Sequence, residues 1–346
     1  MQNVIINSNA TKRIAYLDAM RGLVMILVVY SHVKGFTFNT GSMHFFFNDI
    51  LSNIHVPLFF FLSGYLGYKT IDRFNFDFIN KNSFIRFRQL IIPTFFFFPL
   101  LSYLGFKDWI YPGGFWFTPA LFDMLFVYYW FMYMWTKFSN KHYWIAIIGL
   151  SATIVAISFV LNSSSWCKFL AFDYARYYVM FFALGLLARH YSEQFVKIIQ
   201  NKWVITTLIL LTIVIMSFSF HENLIDNNIS LYYKLILIPR FCLVGIVFYL
   251  FYRTSSYWDA SNFISSSMQY VGRHTLDIYM IHYFFIWPIC NSIYNLIVNN
   301  PNEILLTIIA VIFTLTVVAC SLIVGNFIRL SKPMAVWILG KKPNAA

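Results

Sequence analysis

Apolar runs recur along the 346-residue chain with only short polar gaps between them, at about 14–34, 50–68, 89–106, 115–136, 143–161, 174–190, 203–220, 234–252, 274–297 and 304–330. Each is long enough to cross a hydrocarbon core as a helix, which takes about 20 residues. The apolar character runs around each segment and does not alternate with a period of two, which argues for helices buried in lipid and protein and against half-exposed strands. The pattern therefore predicts an all-α polytopic membrane helix bundle of about ten transmembrane helices. No internal repeat or loop of domain size interrupts it. The longest polar connection, 69–88, ends in KNSFIRFRQLIIP, where basic residues lead directly into the third span.

Composition agrees with this pattern. The chain is 60% hydrophobic and 11% charged, with 21% aromatic residues and a mean hydropathy of +0.66, far from the balance of a soluble domain. The net charge of +12 does not indicate a nucleic-acid partner, because the cations lie in the gaps between apolar runs and do not form one basic face. With the N-terminus in the cytoplasm, only Lys34, Lys107, Lys168, Arg176 and Lys234 of the 25 Lys and Arg residues fall outside and Arg240 lies within a span. The positive-inside rule then puts both termini in the cytoplasm, with 1–13 and 333–346 as tails. The first run is too long, and too charged at its start, for a cleaved signal peptide. Cys167, Cys242, Cys290 and Cys320 form no close pair, so neither a disulfide framework nor a metal site is expected.

Ionisable residues inside spans are costly and mark candidate chemistry. In LDAMRGLVMILVVYSH, Arg21 and His32 are eleven steps apart. On a helix they point within roughly 20° of each other, about 16.5 Å apart along the axis. A neutral imidazole at His32 can accept a hydroxyl proton and return it. Arg21 reads either as an anchor snorkelling to the headgroups or as a cation for an anionic ligand, with Asp18 placed to orient it. Arg86 and Arg88 suit phosphate groups at the mouth of the third span, although ordinary positive-inside residues have the same appearance. In IHVPLFFFLSGYLGY, Pro57 reads as a breaker and Ser63-Gly64 as a small-residue helix contact, with His55 just before the proline. Asp277 and His282 lie about 140° apart on one helix, so they make no simple intrahelical pair. Asp123 and Arg240 are placed to pair with each other or with a substrate. Nucleophile elbows, phosphate loops and zinc-protease motifs are absent.

Taken in order, LDAMRGLVMILVVYSH, PLFFFLSGYL, FIRFRQLIIP, GGFWFTPALF, FFALGLLARH and HTLDIYMIHYFF resemble the acyltransferase-3 family of integral membrane acyltransferases, within it the branch that O-acetylates carbohydrates. The resemblance implies one membrane domain over 14–332. This domain would carry an acyl group, usually acetyl, from cytoplasmic acyl-CoA to a hydroxyl of a surface or exported glycan at the bacterial inner membrane. It implies His32 as the catalytic histidine, either a general base or a transient acyl carrier, with Arg21 as its partner in the Arg-x10-His element. Arg21, Arg86 and Arg88 would hold the cofactor phosphates. Asp18, His55, Asp123, Arg240, Asp277 and His282 are candidates for lining the substrate path. The family's Arg-x-x-Arg is here Arg86-Phe87-Arg88, followed by Gln89, one residue short. The competing reading is a transporter or flippase whose intramembrane His, Asp and Arg residues line a pathway.

Overall fold

The computed structural model describes residues 14–38, 46–103, 113–138, 142–161, 170–288 and 302–340. Among these it contains helices and turns and no strand. The principal helices are α1 Ala15–His32, α2 His55–Gly67, α3 Phe76–Arg86, α4 Ile92–Tyr103, α5 Phe117–Trp135, α6 Tyr143–Leu161, α7 Phe172–His190, α8 Lys202–His221, α9 Leu237–Arg253, α10 Phe263–Arg273, α11 Thr275–Ile281 and α12 Glu303–Arg329. Asparagines in the polar gaps start several of them. The side chains of Asn75, Asn201, Asn262 and Asn302 accept the otherwise orphaned N–H groups of Phe78, Trp203, Ser265 and Leu305.

Seven helical stretches are long and apolar enough to cross a membrane by length and composition. Of the other three expected spans, α5 and α7 are 19-residue helices. Tyr and Trp lower the hydropathy of α5, and Asp173, Arg176 and Arg189 exceed the charge limit in α7. The expected ninth span is described only to Pro288, and its remainder lies outside the described residues, as do 1–13 and 341–346.

Two local readings change, and a third gains its detail. The polar stretch 69–88 is not all loop, because α3 occupies Phe76–Arg86 and continues through a π-helical turn, Phe87–Ile91, into α4. Pro57 follows a break in the apolar run, because a short helix, Phe46–Ser52, ends in a turn at Asn53 and Ile54 and α2 starts afresh at His55. The proline sits in the first turn of α2, where a missing N–H leaves no bond unmade. Residues 332–340 include the short helix Lys332–Trp337, and beyond it Leu339 is buried. Gly340, with φ of 63°, then packs against the Arg88 and Gln89 backbone, so this stretch is docked and not a free extension.

α1 is the central helix, with Ala19, Met20, Val24, Met25 and Val29 all fully buried. It packs against α2, α9, α10, α11 and α12. Two crossings bring backbones together through glycine. Gly22 and Gly272 join α1 to α10, and Gly64 and Gly185 join α2 to α7. A Cβ on any of the four would meet main-chain atoms of the facing helix. In lipid, where no hydrophobic force drives helix pairing, such close approach supplies the dispersion contact that replaces it. The Ser63-Gly64 contact expected from sequence is one of these. α8 and α12 instead turn Ile209, Leu210, Val214, Ile308 and Ile312 outward, as lipid-facing helices do.

Candidate active site

α1 is α-helical from Ala15 to His32 and passes into a π-helical turn, Val33–Thr37, immediately after the histidine. π turns inside helices are frequent at functional sites. Arg21 and His32 therefore share one stripe, as their spacing predicts, and that stripe faces a single neighbour. Arg21 Nη2 donates to Thr275 Oγ1 at 3.1 Å, while His32 Nδ1 and His282 Nε2 lie 2.8 Å apart. Both contacts run up α11 and the 3-10 turn His282–Phe285 that follows it, so α1 and this segment run parallel.

His282 is fully buried and His32 half-buried, with their rings edge to edge, 12° from parallel and 5.1 Å between centroids. His282 Nδ1 lies 3.0 Å from the Ile278 carbonyl. On the other side, His32 Nε2 is 3.3 Å from Tyr283 Oη, which donates to the Gly114 carbonyl at 2.8 Å. The same carbonyl accepts from Tyr279 Oη at 2.7 Å. A Cβ on Gly114 would collide with the Tyr283 ring, which gives the second glycine of GGFWFTPALF a physical role. His55 interacts electrostatically with His32 and with Arg240. Arg240 Nε donates to Asn53 Oδ1 at 2.8 Å. His32, His282, His55 and Arg240, scattered over four apolar segments, thus gather at one end of the bundle.

At the other end of the α1 stripe, Arg21 meets Asp18 at 3.7 Å. Asp277, two residues on from Thr275, is ion-paired with Arg329, with His274 Nδ1 at 3.7 Å. His274 Nε2 accepts from Arg329 Nη1 at 3.2 Å. Asp277 is therefore already neutralised by partners that the sequence reading did not name. The suggested pairing of Asp123 with Arg240 is not formed. Asp123 is buried in α5 with one carboxylate oxygen lacking a hydrogen bond.

Arg86 and Arg88 belong to a third group. Arg86 donates through Nε to Tyr129 Oη at 3.4 Å and through Nη1 to Gln89 Oε1 at 3.2 Å, and the buried Nε of Arg88 has no hydrogen-bond partner. Lys69, at the end of α2, lies in the field of Arg86, Arg73 and Arg189. Burial and then these three guanidinium groups hold its ammonium below the ordinary lysine range. Arg189 stacks over the Tyr65 ring at 5.3 Å. Among the described residues, no carboxylate forms an ion pair with any of these cations. Lys69 and Arg189 read as ordinary positive-inside residues in the sequence. Their convergence needs α2 packed on α7 and α3 on α5.

A membrane-embedded bundle with a paired imidazole in its interior and a cluster of cations near one end of its helices has the features of a catalytic site. The family model described as Acyltransferase domain, Acyl_transf_3, matches residues 14–325. The chain belongs to this acyltransferase-3 family and is a multi-pass membrane acyltransferase. No curated protein and no solved structure matches it.

Proposed function

We propose that the protein transfers an acyl group, acetyl first among them, from cytoplasmic acyl-CoA to a hydroxyl of a surface or exported glycan at the bacterial inner membrane. The observation that carries this reading is the His32–His282 contact at 2.8 Å inside an apolar bundle. A buried imidazole pair is costly to keep unless it does chemistry, and proton transfer at neutral pH is the chemistry of imidazole. His32 takes the proton from the acceptor hydroxyl as its oxygen attacks the thioester carbonyl. The C–O bond forms, the C–S bond breaks, and the thiolate recovers the proton. Direct transfer and a transient acyl group on His32 share this geometry.

Lys69, Arg86 and Arg189, with Arg88 two residues on from Arg86, suit the phosphates of the carrier, because a cluster of like charges that forms no ion pair with a carboxylate is relieved by a polyanion. Arg21, engaged with Asp18 and Thr275, serves this reading as an orienting residue on the α1 stripe more than as a phosphate ligand. His55 and Arg240, at the end of the stripe near His32, are the residues for the acceptor side. The test is transfer from labelled acetyl-CoA to a panel of glycan acceptors by purified protein in vesicles. His32→Ala is expected to abolish transfer without lowering the melting temperature, and equal transfer by wild type and variant would sink the assignment.

A further inference from the structure

We infer that His282 is a positioning residue that fixes the tautomer of His32, leaving the His32 Nε2 lone pair bare for the substrate proton. The inference rests on the acyl-transfer reading of His32, but its geometry stands by itself. A backbone carbonyl only accepts hydrogen bonds, so the 3.0 Å contact between His282 Nδ1 and the Ile278 oxygen requires a proton on Nδ1. A neutral His282 then has a lone pair on Nε2, and this atom faces His32 Nδ1 at 2.8 Å. His32 must donate there through Nδ1–H, which leaves its Nε2 unprotonated. The direction of the whole chain is set by one main-chain oxygen.

Tyr283 does not cap that lone pair. The hydroxyl has one proton, and Gly114 O, at 2.8 Å, lies closer to it than His32 Nε2, at 3.3 Å. When Nε2 takes the hydroxyl proton of the acceptor, the Nδ1 proton can shift to His282 Nε2. The positive charge is then spread over two rings. No other reactant is required, because the proton returns to the leaving thiolate by the same path. The half-buried His32 meets substrate, while the fully buried His282 stands behind it.

The full-length protein in proteoliposomes, labelled with 15N-histidine, tests this by solid-state NMR, with His32→Gln identifying the His32 signals. The expected wild-type spectrum shows His32 protonated at Nδ1 and bare at Nε2, and His282→Leu shifts it toward the Nε2-protonated form. In acetyl-CoA turnover, His282→Leu is expected to lower kcat by about 10²- to 10⁴-fold, as loss of an orienting partner does in other imidazole catalysts, with KM for acetyl-CoA within about twofold. His282→Gln is expected to stay within about tenfold of wild type in kcat, because its amide oxygen can accept from Nδ1 while its NH2 donates to Ile278 O. An Nε2-protonated His32 in wild type, or equal losses of kcat in the two variants, overturns the inference. Should His282→Leu not fold, the wild-type spectrum and the kcat of His282→Gln still decide. Wild-type protein that shows the expected tautomer but transfers no acetyl group refutes the proposed function and not the tautomer assignment.

Discussion

Replacing Gly272 with alanine places a methyl group where α10 meets α1. The new Cβ would lie 2.7 Å from the Asp18 carbonyl carbon and 3.0 Å from Gly22 N, with the Asp18 oxygen closer still. These are main-chain atoms, so no rotamer change relieves the clash. Ordinary Cβ contacts begin near 3.4 Å, so α10 must retreat from α1 by at least about 0.7 Å. Only His274 separates α10 from α11, and the following turn carries His282. If the retreat is passed on, the His32–His282 contact opens from 2.8 Å to about 3.5 Å, beyond a productive hydrogen bond. Overpacking of this kind costs about 1–3 kcal/mol of stability, and a misplacement near 1 Å can cost about 10²-fold in rate. Transfer from labelled acetyl-CoA and thermal unfolding in detergent are measured for Gly272→Ala beside Gly35→Ala, whose Cβ meets nothing within 4 Å. Gly35→Ala should match wild type in both. Wild-type rate and melting temperature for Gly272→Ala would refute the claim that this crossing sets the geometry of the imidazole pair.

Two further perturbations test the other groups. Because the Lys69 ammonium is held below its ordinary range by burial and by Arg86, Arg73 and Arg189, a bound polyanion should restore its proton. Affinity for CoA is therefore expected to fall as pH rises through the lowered Lys69 pKa, with proton uptake on binding between that lowered pKa and the ordinary lysine value. Calorimetry in buffers of different ionisation enthalpy checks this, and Lys69→Met should flatten the dependence. A slope unchanged in Lys69→Met would remove the residue from the anion site. Arg329→Met leaves the Asp277 carboxylate, 5% exposed, with His274 as its remaining ionic partner, and is expected to cost about 3–5 kcal/mol of stability. Adding Asp277→Asn should recover most of that loss in thermal unfolding, and a single variant as stable as wild type would show that the pair carries little.

The architecture was readable from the chain because a bilayer allows a spanning segment few options. Every main-chain polar group must be satisfied within the segment, so hydropathy and length alone set the class of fold and placed most helices. Where the polar and helical signals overlap, the reading failed. Residues 76–86 are amphiphilic enough to look like loop, yet they extend α4 through a π turn. The stripe from Arg21 to His32 was also fixed by sequence, since both residues lie on one uninterrupted helix and the period of 3.6 determines their faces.

What faces that stripe was decided only by packing. His282 and Asp277 were both visible as ionisable residues in a span. Their pattern gave no sign that one would meet His32, 250 positions away, while the other would be neutralised by Arg329. The direction of the proton chain depends on the Ile278 carbonyl, a group that every residue possesses and no side-chain pattern can mark. Lys69 and Arg189 likewise become one cationic site with Arg86 only when α2 is packed on α7 and α3 on α5. Hydrophobic spacing is a local property, written into consecutive residues by the helical period. Partnerships between polar groups on different helices depend on rotation and depth at close crossings, which glycines such as Gly22 and Gly272 permit but do not by themselves specify.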